Sequence, residues 1–335
     1  MQYREKEVEY LGLCPSGEDD ILKHIESCGR RCYRSAHKID WENRSFEKFY
    51  RMLTGHGHLA AIEHSNIVVE LQVETQEAFD TVYTSFVMSA LYNMQYFRLM
   101  PNEEEFKITI SGNVRAWLEF FESKYWFSLY FDLGNFLNEE YPIVFEKING
   151  YLDINRDLRE AIPDIENDRA VAGSVTMRIV TDEEQSLNYE VYDAYDIPIY
   201  TFAVYTDRGI THEIVRHRVM SYAQESTRYC NYKKIGGIEM IPFEFPPELT
   251  EKYEAYVAQG EALYNDMLSA GVKPQLARNV LPHSLKTEIS ISGRMSGWRH
   301  FVKLRDSGYA HPDIRFVARE VKDALGIEGP VDEAA

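Results

Sequence analysis

The sequence predicts a mixed α/β chain of the α+β kind, and three observations carry the prediction. Segments such as 66–74 (NIVVELQVE) and 200–206 (YTFAVYT) alternate apolar with polar residues, as half-buried strands do. Segments such as 45–58 and 249–271 space their apolar residues three and four apart, as amphipathic helices do. The two patterns follow one another over 335 residues, enough chain to bury a substantial core in one large domain or two modest ones.

Taken in order, Asp19 and Asp20 precede a helix in which Ile21, Ile25 and Cys28 recur at helical spacing. A second helix places Phe46, Phe49, Met52 and Leu53 on one face, and the next strand turns Ile67, Val69, Leu71 and Val73 to one side. Residues 76–199 read as a separate block, aromatic at 86–97 and 117–131, then acidic and polar around 162–173 and 181–193. From Tyr200 come a strand, a turn at Asp207-Arg208-Gly209, and a helix expected to begin with Thr211 as N-cap and to run into Arg216-His217-Arg218. The long helix over 249–271 carries a stripe that includes Tyr253, Val257 and Tyr264 and is closed by Gly271. A strand alternating Leu285, Thr287, Ile289 and Ile291 leads to a helix with Met295, Trp298, Phe301 and Val302. The expected organisation is one domain made of 1–75 and 200–325, a 76–199 insertion adding a helical lobe, and a flexible tail over 326–335.

One internal echo stands out. Segments 108–121 (ITISGNVRAWLEFF) and 289–302 (ISISGRMSGWRHFV) share Ile, Ile, Ser, Gly, Trp and Phe at equal spacing. Each reads as a strand, a Ser-Gly turn and an amphipathic helix. Chance convergence, a partial duplication, and a shared ligand-facing turn built twice all account for it.

Composition excludes several classes. Thirty-six Lys and Arg against 54 Asp and Glu give a net charge of −18, which repels phosphate polymers and anionic membranes. An RNA-binding role for the arginine-rich segment therefore fits poorly. No run approaches eighteen apolar residues, so no membrane span is expected. The start, MQYREKEVEY, has charges where a signal peptide needs an apolar run, and the expected compartment is the cytoplasm. Cys14, Cys28, Cys32 and Cys230 form no CxxC pair. His56, His58 and His64 lack a clear carboxylate or cysteine complement, so no metal site is expected.

Chemistry concentrates where the charge reverses. Six Lys or Arg residues lie between Arg208 and Lys234, a basic island that suits a small anionic ligand. Arginine pairs bidentately with phosphate or carboxylate. On a helix, Arg216 and Arg218 would face opposite ways and serve two ligands or two neighbouring sites. Ser226 and Arg228, with the backbone N–H groups between them, can cradle a phosphate.

The run RHRVMSYAQESTRYCNY resembles the signature of the flavin-dependent thymidylate synthases: RHR, seven residues, then Ser, met here by Arg216-His217-Arg218 and Ser226. HGHLAAIEH (56–64) is similar to the family's HxSxxEH segment through His58, Glu63 and His64. GRRCYRSAHK, ARNVLPHSLKTEISISG and WRHFVKLR also match, so the resemblance covers roughly 1–75 and 200–320. It implies a mainly antiparallel sheet flanked by long helices, and an enzyme that methylates dUMP to dTMP. FAD would be the cofactor, with methylenetetrahydrofolate as carbon donor and NADPH as reductant. The assembly implied is a homotetramer with active sites between subunits; the partners are small molecules, with neither nucleic acid nor membrane among them. By the family pattern, Glu213, Arg216, Gln224, Glu225, Ser226, Thr227, Arg228, Arg278 and Arg305 meet dUMP, and Arg305 is the catalytic group that favours ionisation of uracil N3. His58, Arg216, His217, Arg218, Gln224 and His300 face FAD. The family uses no cysteine nucleophile, so Cys230 is read as a packed small residue and Ser226 as a phosphate ligand.

Three departures matter. Arg294-Met295-Ser296 stands where the family commonly has Asn-x-Arg against FAD, while the echo supplies that pattern as Asn113-Val114-Arg115. Asn113 and Arg115 are therefore expected to serve the flavin instead. Ala60 and Ala61 replace a usual hydroxyl residue and a common proline, and a block of about 120 residues (76–199) lies between the EH and RHR segments. The rival reading is a degenerate relative that binds flavin or nucleotide without methylating.

Overall fold

The computed structural model describes residues 2–90, 95–122, 128–152 and 175–329. The chain divides into two compact units. The first consists of Met1–Gly12, Ser27–Ile39 and Thr201–Ala335, the second of Leu13–Glu26 and Asp40–Tyr200. The strands in chain order are β1 (Gln2–Tyr3), β2 (Glu7–Leu13), β3 (Ile67–Gln72), β4 (Arg98–Asn102), β5 (Lys107–Gly112), β6 (Thr176–Ile179), β7 (Ile199–Asp207), β8 (Ser221–Gln224), β9 (Glu239–Met240) and β10 (Lys286–Arg294).

The first unit is built on a four-stranded sheet in the order β2-β7-β10-β8, with β8 antiparallel to β10 and Gln224 opposite Ile289. The β-branched residues of β10 suit a pleat covered on both faces, and nearly every residue of that strand is buried. Helix Met295–Arg305 follows directly; its Trp298 is fully buried and packs edge-on against Phe202 of β7, with ring centroids 4.8 Å apart. Helix Pro312–Leu325 starts with proline in its first turn and stops at Gly326, whose φ of +61° favours glycine. The long helix Pro247–Ser269 buries Val257 and Tyr264 in a cluster with Ile238, Met240 and Leu285. A short parallel pairing joins β1 to β9.

The second unit holds another four-stranded sheet, β4-β5-β3-β6, antiparallel throughout. Ile67 faces Gly112 and Leu71 faces Ile108 across β3 and β5. Helix Val114–Glu122 follows β5, and Trp117, fully buried, donates its indole N–H to the Ile67 carbonyl at 3.2 Å. The block 76–199 is thus more than a helical lobe, since it supplies β4, β5 and β6 to a sheet centred on β3 and β5. Residues 40–75 fall in the same unit as this block, whereas the sequence patterns grouped them with the carboxy-terminal part. The polar stretch 162–173, residues 123–127 of the aromatic stretch, and the tail from Pro330 lie outside the described residues.

The echo extends from sequence to topology. In each unit a strand (β3 or β7) leads to a helix (Gln76–Ala90 or Arg208–Ile214), an edge strand (β4 or β8), an inner strand (β5 or β10) and a helix directly after it, although in the first unit β9 and helix Pro247–Ser269 intervene between β8 and β10. The Ser-Gly pairs, expected in turns, lie instead within the ends of strands β5 and β10. Ser111 Oγ donates to the Ile197 carbonyl at 2.8 Å, and Ser292 Oγ shares a 2.7 Å hydrogen bond with Thr201. A Cβ added at Gly112 would lie 3.2 Å from the Trp117 indole nitrogen, and one at Gly293 would lie 3.4 Å from that of Trp298. The remaining edge of each sheet comes from elsewhere in the chain: β2 enters the first sheet and β6 the second. Among the described residues no helix is long and apolar enough to cross a membrane.

Candidate functional site

The site is assembled in the first unit. Asp207 ends β7 and accepts the Ile210 N–H at 2.9 Å, which makes it the N-cap of helix Arg208–Ile214. Thr211, expected at that position, instead lies inside the helix and donates to the Arg208 carbonyl. The helix stops at Ile214, and residues 215–220 form a turn in which Val219 adopts φ +68°. Arg216 and Arg218 are therefore not on opposite faces of a helix. Both are exposed on the turn, while His217 between them is buried.

Arg305, from the last turn of helix Met295–Arg305, ties this turn together. Its Nε donates to His217 Nε2 at 2.9 Å, and its Nη1 to Glu213 Oε2 at 2.7 Å. Nη2 reaches the Glu213 carbonyl at 3.3 Å. With Nε2 accepting, the imidazole carries its proton on Nδ1. Burial first, then the neighbouring Arg305, His300 and Arg216, hold the His217 pKa down at about 4, so the ring is neutral at pH 7. Phe301 packs edge-on at 4.9 Å, and His300 lies 5.8 Å away. Tyr222 donates to the His217 carbonyl at 2.5 Å. The structure thereby groups Glu213, His217, His300 and Arg305, with Arg216 electrostatically coupled to the ring.

The second half of the site is the segment 224–228 after β8. Gln224 Nε2 donates to Thr211 Oγ1 at 2.8 Å and to Thr287 Oγ1 at 3.3 Å. Glu225 turns inward, in contrast to the ligand-facing position expected for it. Its carboxylate accepts from Tyr232 at 2.7 Å and lies 3.5 Å from Lys286 Nζ, an ammonium that is itself only 1% exposed. Lys286 also reaches Glu288 at 2.5 Å and Glu239 at 3.6 Å, and Arg34 closes on Glu239 at 2.5 Å. Burial raises the Glu225 carboxyl above its usual range, against the pull of Lys286. The backbone then emerges: Ser226 N–H bonds the Cys32 carbonyl at 2.9 Å, and Ser226 Oγ accepts the Arg228 N–H at 3.3 Å. Thr227 is buried and accepts from Arg278 Nη1 at 3.0 Å, while the guanidinium of exposed Arg228 lies over the Tyr229 ring.

Thr227 and Arg278 line a cavity of about 320 Å³ with Arg208, His212, Asn279 and His283. Arg208, His212 and His283 were missed by the sequence reading. Their signal was faint: Arg208 opens the basic island, and the two histidines sit in no recognisable spacing.

Three expected flavin residues, His58, Asn113 and Arg115, belong to the second unit. Asn113 is buried and its Oδ1 accepts the Ala116 N–H at 2.8 Å, the hydrogen bond of a helix cap. Arg115 is engaged by Glu119 and Glu63, each at 2.7 Å. His58 donates its backbone N–H to the Leu53 carbonyl at 2.9 Å. In the first unit exposed guanidiniums at Arg216 and Arg218 flank a neutral imidazole, a donor set that suits an anionic group such as a diphosphate. An FAD molecule fits this donor set.

Comparison with known proteins agrees with this part of the chain. The family model described as thymidylate synthase complementing protein matches residues 171–330. A flavin-dependent thymidylate synthase of Corynebacterium glutamicum is 31% identical over 138 residues, covering 37% of this chain and 55% of that protein. Those of Thermococcus onnurineus and Pyrococcus furiosus are each 34% identical, over 125 and 131 residues, covering 36% and 38% of this chain and 51% and 54% of theirs. The chain thus spans about half the length of the curated relatives it matches. The resemblance carried by the RHR segment is a resemblance to the flavin-dependent thymidylate synthases, and it holds over the carboxy-terminal part of the chain.

Proposed function

We propose that this chain makes thymidylate by reductive methylation of dUMP, with FAD as cofactor and methylenetetrahydrofolate and NADPH as co-substrates. The observation that carries the reading is the Arg305 fork, which spans Glu213 and the neutral His217 and projects from a rigid helix end. A guanidinium keeps its charge at any working pH, so Arg305 can stabilise the uracil ring as it loses the N3 proton without giving up one of its own. Glu213 and His217 fix the plane of that guanidinium. Arg278 and Thr227 anchor the nucleotide, and Arg216, Arg218, His217 and His300 hold the flavin. When bound, the flavin supplies the hydride chemistry.

No protein nucleophile is needed. Burial pushes the Cys230 thiol up to about 12, which removes the thiolate at neutral pH. The exposed Arg216 and Arg218 suit a site shared between subunits of a homotetramer, and the working compartment is the cytoplasm.

The test is tritium release from dUMP labelled at the carbon that accepts the methyl group, run with all three small molecules and beside Arg305→Ala. Release that depends on FAD and folate and collapses in the variant supports the reading. Flavin or dUMP binding without release would favour a non-methylating relative. Release that persists in Arg305→Ala refutes the role given to the fork.

A further inference from the structure

Glu225 sits where the chain leaves the first unit's sheet. Its N–H donates to the Glu288 carbonyl at 2.8 Å, one residue beyond the pair Gln224 and Ile289. The next amide, that of Ser226, turns away from the sheet to the Cys32 carbonyl at 2.9 Å. The Ser226 carbonyl then accepts the Tyr229 and Cys230 N–H groups at 3.1 and 2.9 Å, which closes a tight turn over 226–230. Strand alternation sends neighbouring side chains to opposite faces. Gln224 thus reaches Thr211 and Thr287, and Glu225 points inward.

The Glu225 carboxylate is sealed from any ligand. Its side chain is 0% exposed, that of Lys286 is 1% exposed, and Tyr232 is also buried. One carboxylate oxygen accepts from the Tyr232 hydroxyl at 2.7 Å, and the other lies 3.5 Å from Lys286 Nζ. Tyr232 is itself fixed, its N–H lying 3.4 Å from the Tyr264 hydroxyl on helix Pro247–Ser269. Stability alone is a poor reason for this arrangement, because a well-packed apolar side chain often replaces a buried ion pair at no loss. What the carboxylate adds is direction. A hydrogen bond and an ion pair hold the near end of Ser226-Thr227-Arg228, where an apolar contact would let the segment slide.

We propose that Glu225 is a positioning residue for the nucleotide: pinned by Tyr232 and Lys286, it fixes the path of Ser226–Arg228 and so sets the affinity for dUMP without touching it. This rests on the reading of the first unit as a dUMP enzyme. The family pattern expects Glu225 against the nucleotide, whereas the geometry puts its carboxylate behind the turn.

The experiment uses the full chain with FAD. Steady-state tritium release and hydrogen–deuterium exchange are measured for Tyr232→Phe, Glu225→Ala, the two combined, and Glu225→Gln. Tyr232→Phe removes one hydrogen bond to a charged group and should raise the dUMP KM about tenfold, with kcat and the folate KM unchanged. A smaller folded fraction would instead lower kcat at an unchanged KM. Adding Tyr232→Phe to Glu225→Ala should cost nothing further, because both break the same link. Glu225→Gln keeps an acceptor for Tyr232 and should restore most of the affinity lost in Glu225→Ala. A KM effect from Glu225→Ala with none from Tyr232→Phe overturns the proposal, since the carboxylate would then act on the nucleotide directly. Losses confined to kcat, or an unchanged dUMP KM in both single variants, overturn it as well. If the unaltered protein shows no dUMP-dependent release, the thymidylate reading fails and the exchange rates decide the anchor. Faster exchange over 226–230 in Tyr232→Phe, with β10 unaffected, upholds it, and unchanged exchange removes it.

Discussion

Replacing Lys286 with methionine should cripple the first unit, and the structure locates the damage. The ammonium is 1% exposed and faces three carboxylates. Glu239 and Glu288 keep side-chain exposures of 17%, so water can take over their solvation, whereas the Glu225 side chain is sealed at 0%. The cost of Lys286→Met therefore falls on Glu225, left charged with Tyr232 as its remaining donor among the described residues. Breaking one partner out of a buried pair costs about 3–5 kcal/mol. Adding Glu225→Gln removes the stranded charge, and the double variant should recover about 1–3 kcal/mol of coupling. The pH sign follows from the raised Glu225 carboxyl. A carboxyl whose folded pKa lies above its unfolded value makes the native state bind more protons, so stability falls as pH rises through that folded pKa. The Lys286→Met deficit should thus shrink as the pH is lowered from 8 towards 5. Urea unfolding followed by tryptophan fluorescence at both pH values reads this out, allowing each unit its own transition. A Lys286→Met loss below about 1 kcal/mol, or a double variant no more stable than the single, would refute the assignment of the cost to Glu225.

Other outcomes follow from the same physical reasoning. Gly112→Ala puts a Cβ 2.5 Å from the Phe97 ring, itself wedged edge-on against Trp117, and should cost about 1–3 kcal/mol in denaturant midpoint analysis. At Gly293→Ala the first contact is the flexible end of Met220, at 2.6 Å, so the loss should be smaller; equal losses would show that the ring is not pinned. Full burial holds the His64 pKa down at about 3, so below the ordinary unfolded value near 6.5 only the unfolded chain gains that proton. Acidifying from pH 7 to 5 should then cost the second unit about 2 kcal/mol, and His64→Leu should remove that part of the pH slope in equilibrium unfolding. The Cys28, Cys32 and Cys230 thiols, pushed up to about 12 by burial, should resist thiol reagents in the native protein. Cys230→Ser should keep tritium release, and an inactive but folded variant would reopen the question of a cysteine nucleophile.

The sequence was most legible where chemistry is local. The RHR turn, Ser226 and the helix bearing Arg305 could be found because each is a short run of unusual residues, and the resemblance linked them across 90 residues. Lys286 was not legible. It opens a strand whose alternation promises one wet face, but both faces of β10 are covered and its acidic partners come from 225, 239 and 288. The helical reading of RHR failed because nothing marks the stop at Ile214; the departure is made by Val219, a β-branched residue in left-handed backbone. Strands β4 and β6 escaped for a different reason. One contains Pro101 and lies on a sheet edge, the other is four residues long, and neither has enough alternation to register. Arg208, His212 and His283 converge only through backbone bonds between separate segments, a relation that residue spacing does not encode.

The borrowed sheet margins also bear on how the gene could be divided. A polypeptide beginning near Tyr200 would retain RHR, Arg278 and Arg305 yet arrive without β2, leaving the outer flank of β7 unpaired and open to foreign strands. The amino-terminal portion, truncated before Thr176, would likewise expose β3 for want of β6. Neither fragment is a self-sufficient building block. Only an amino-terminal portion that keeps both β2 and β6 would bring each sheet its missing margin.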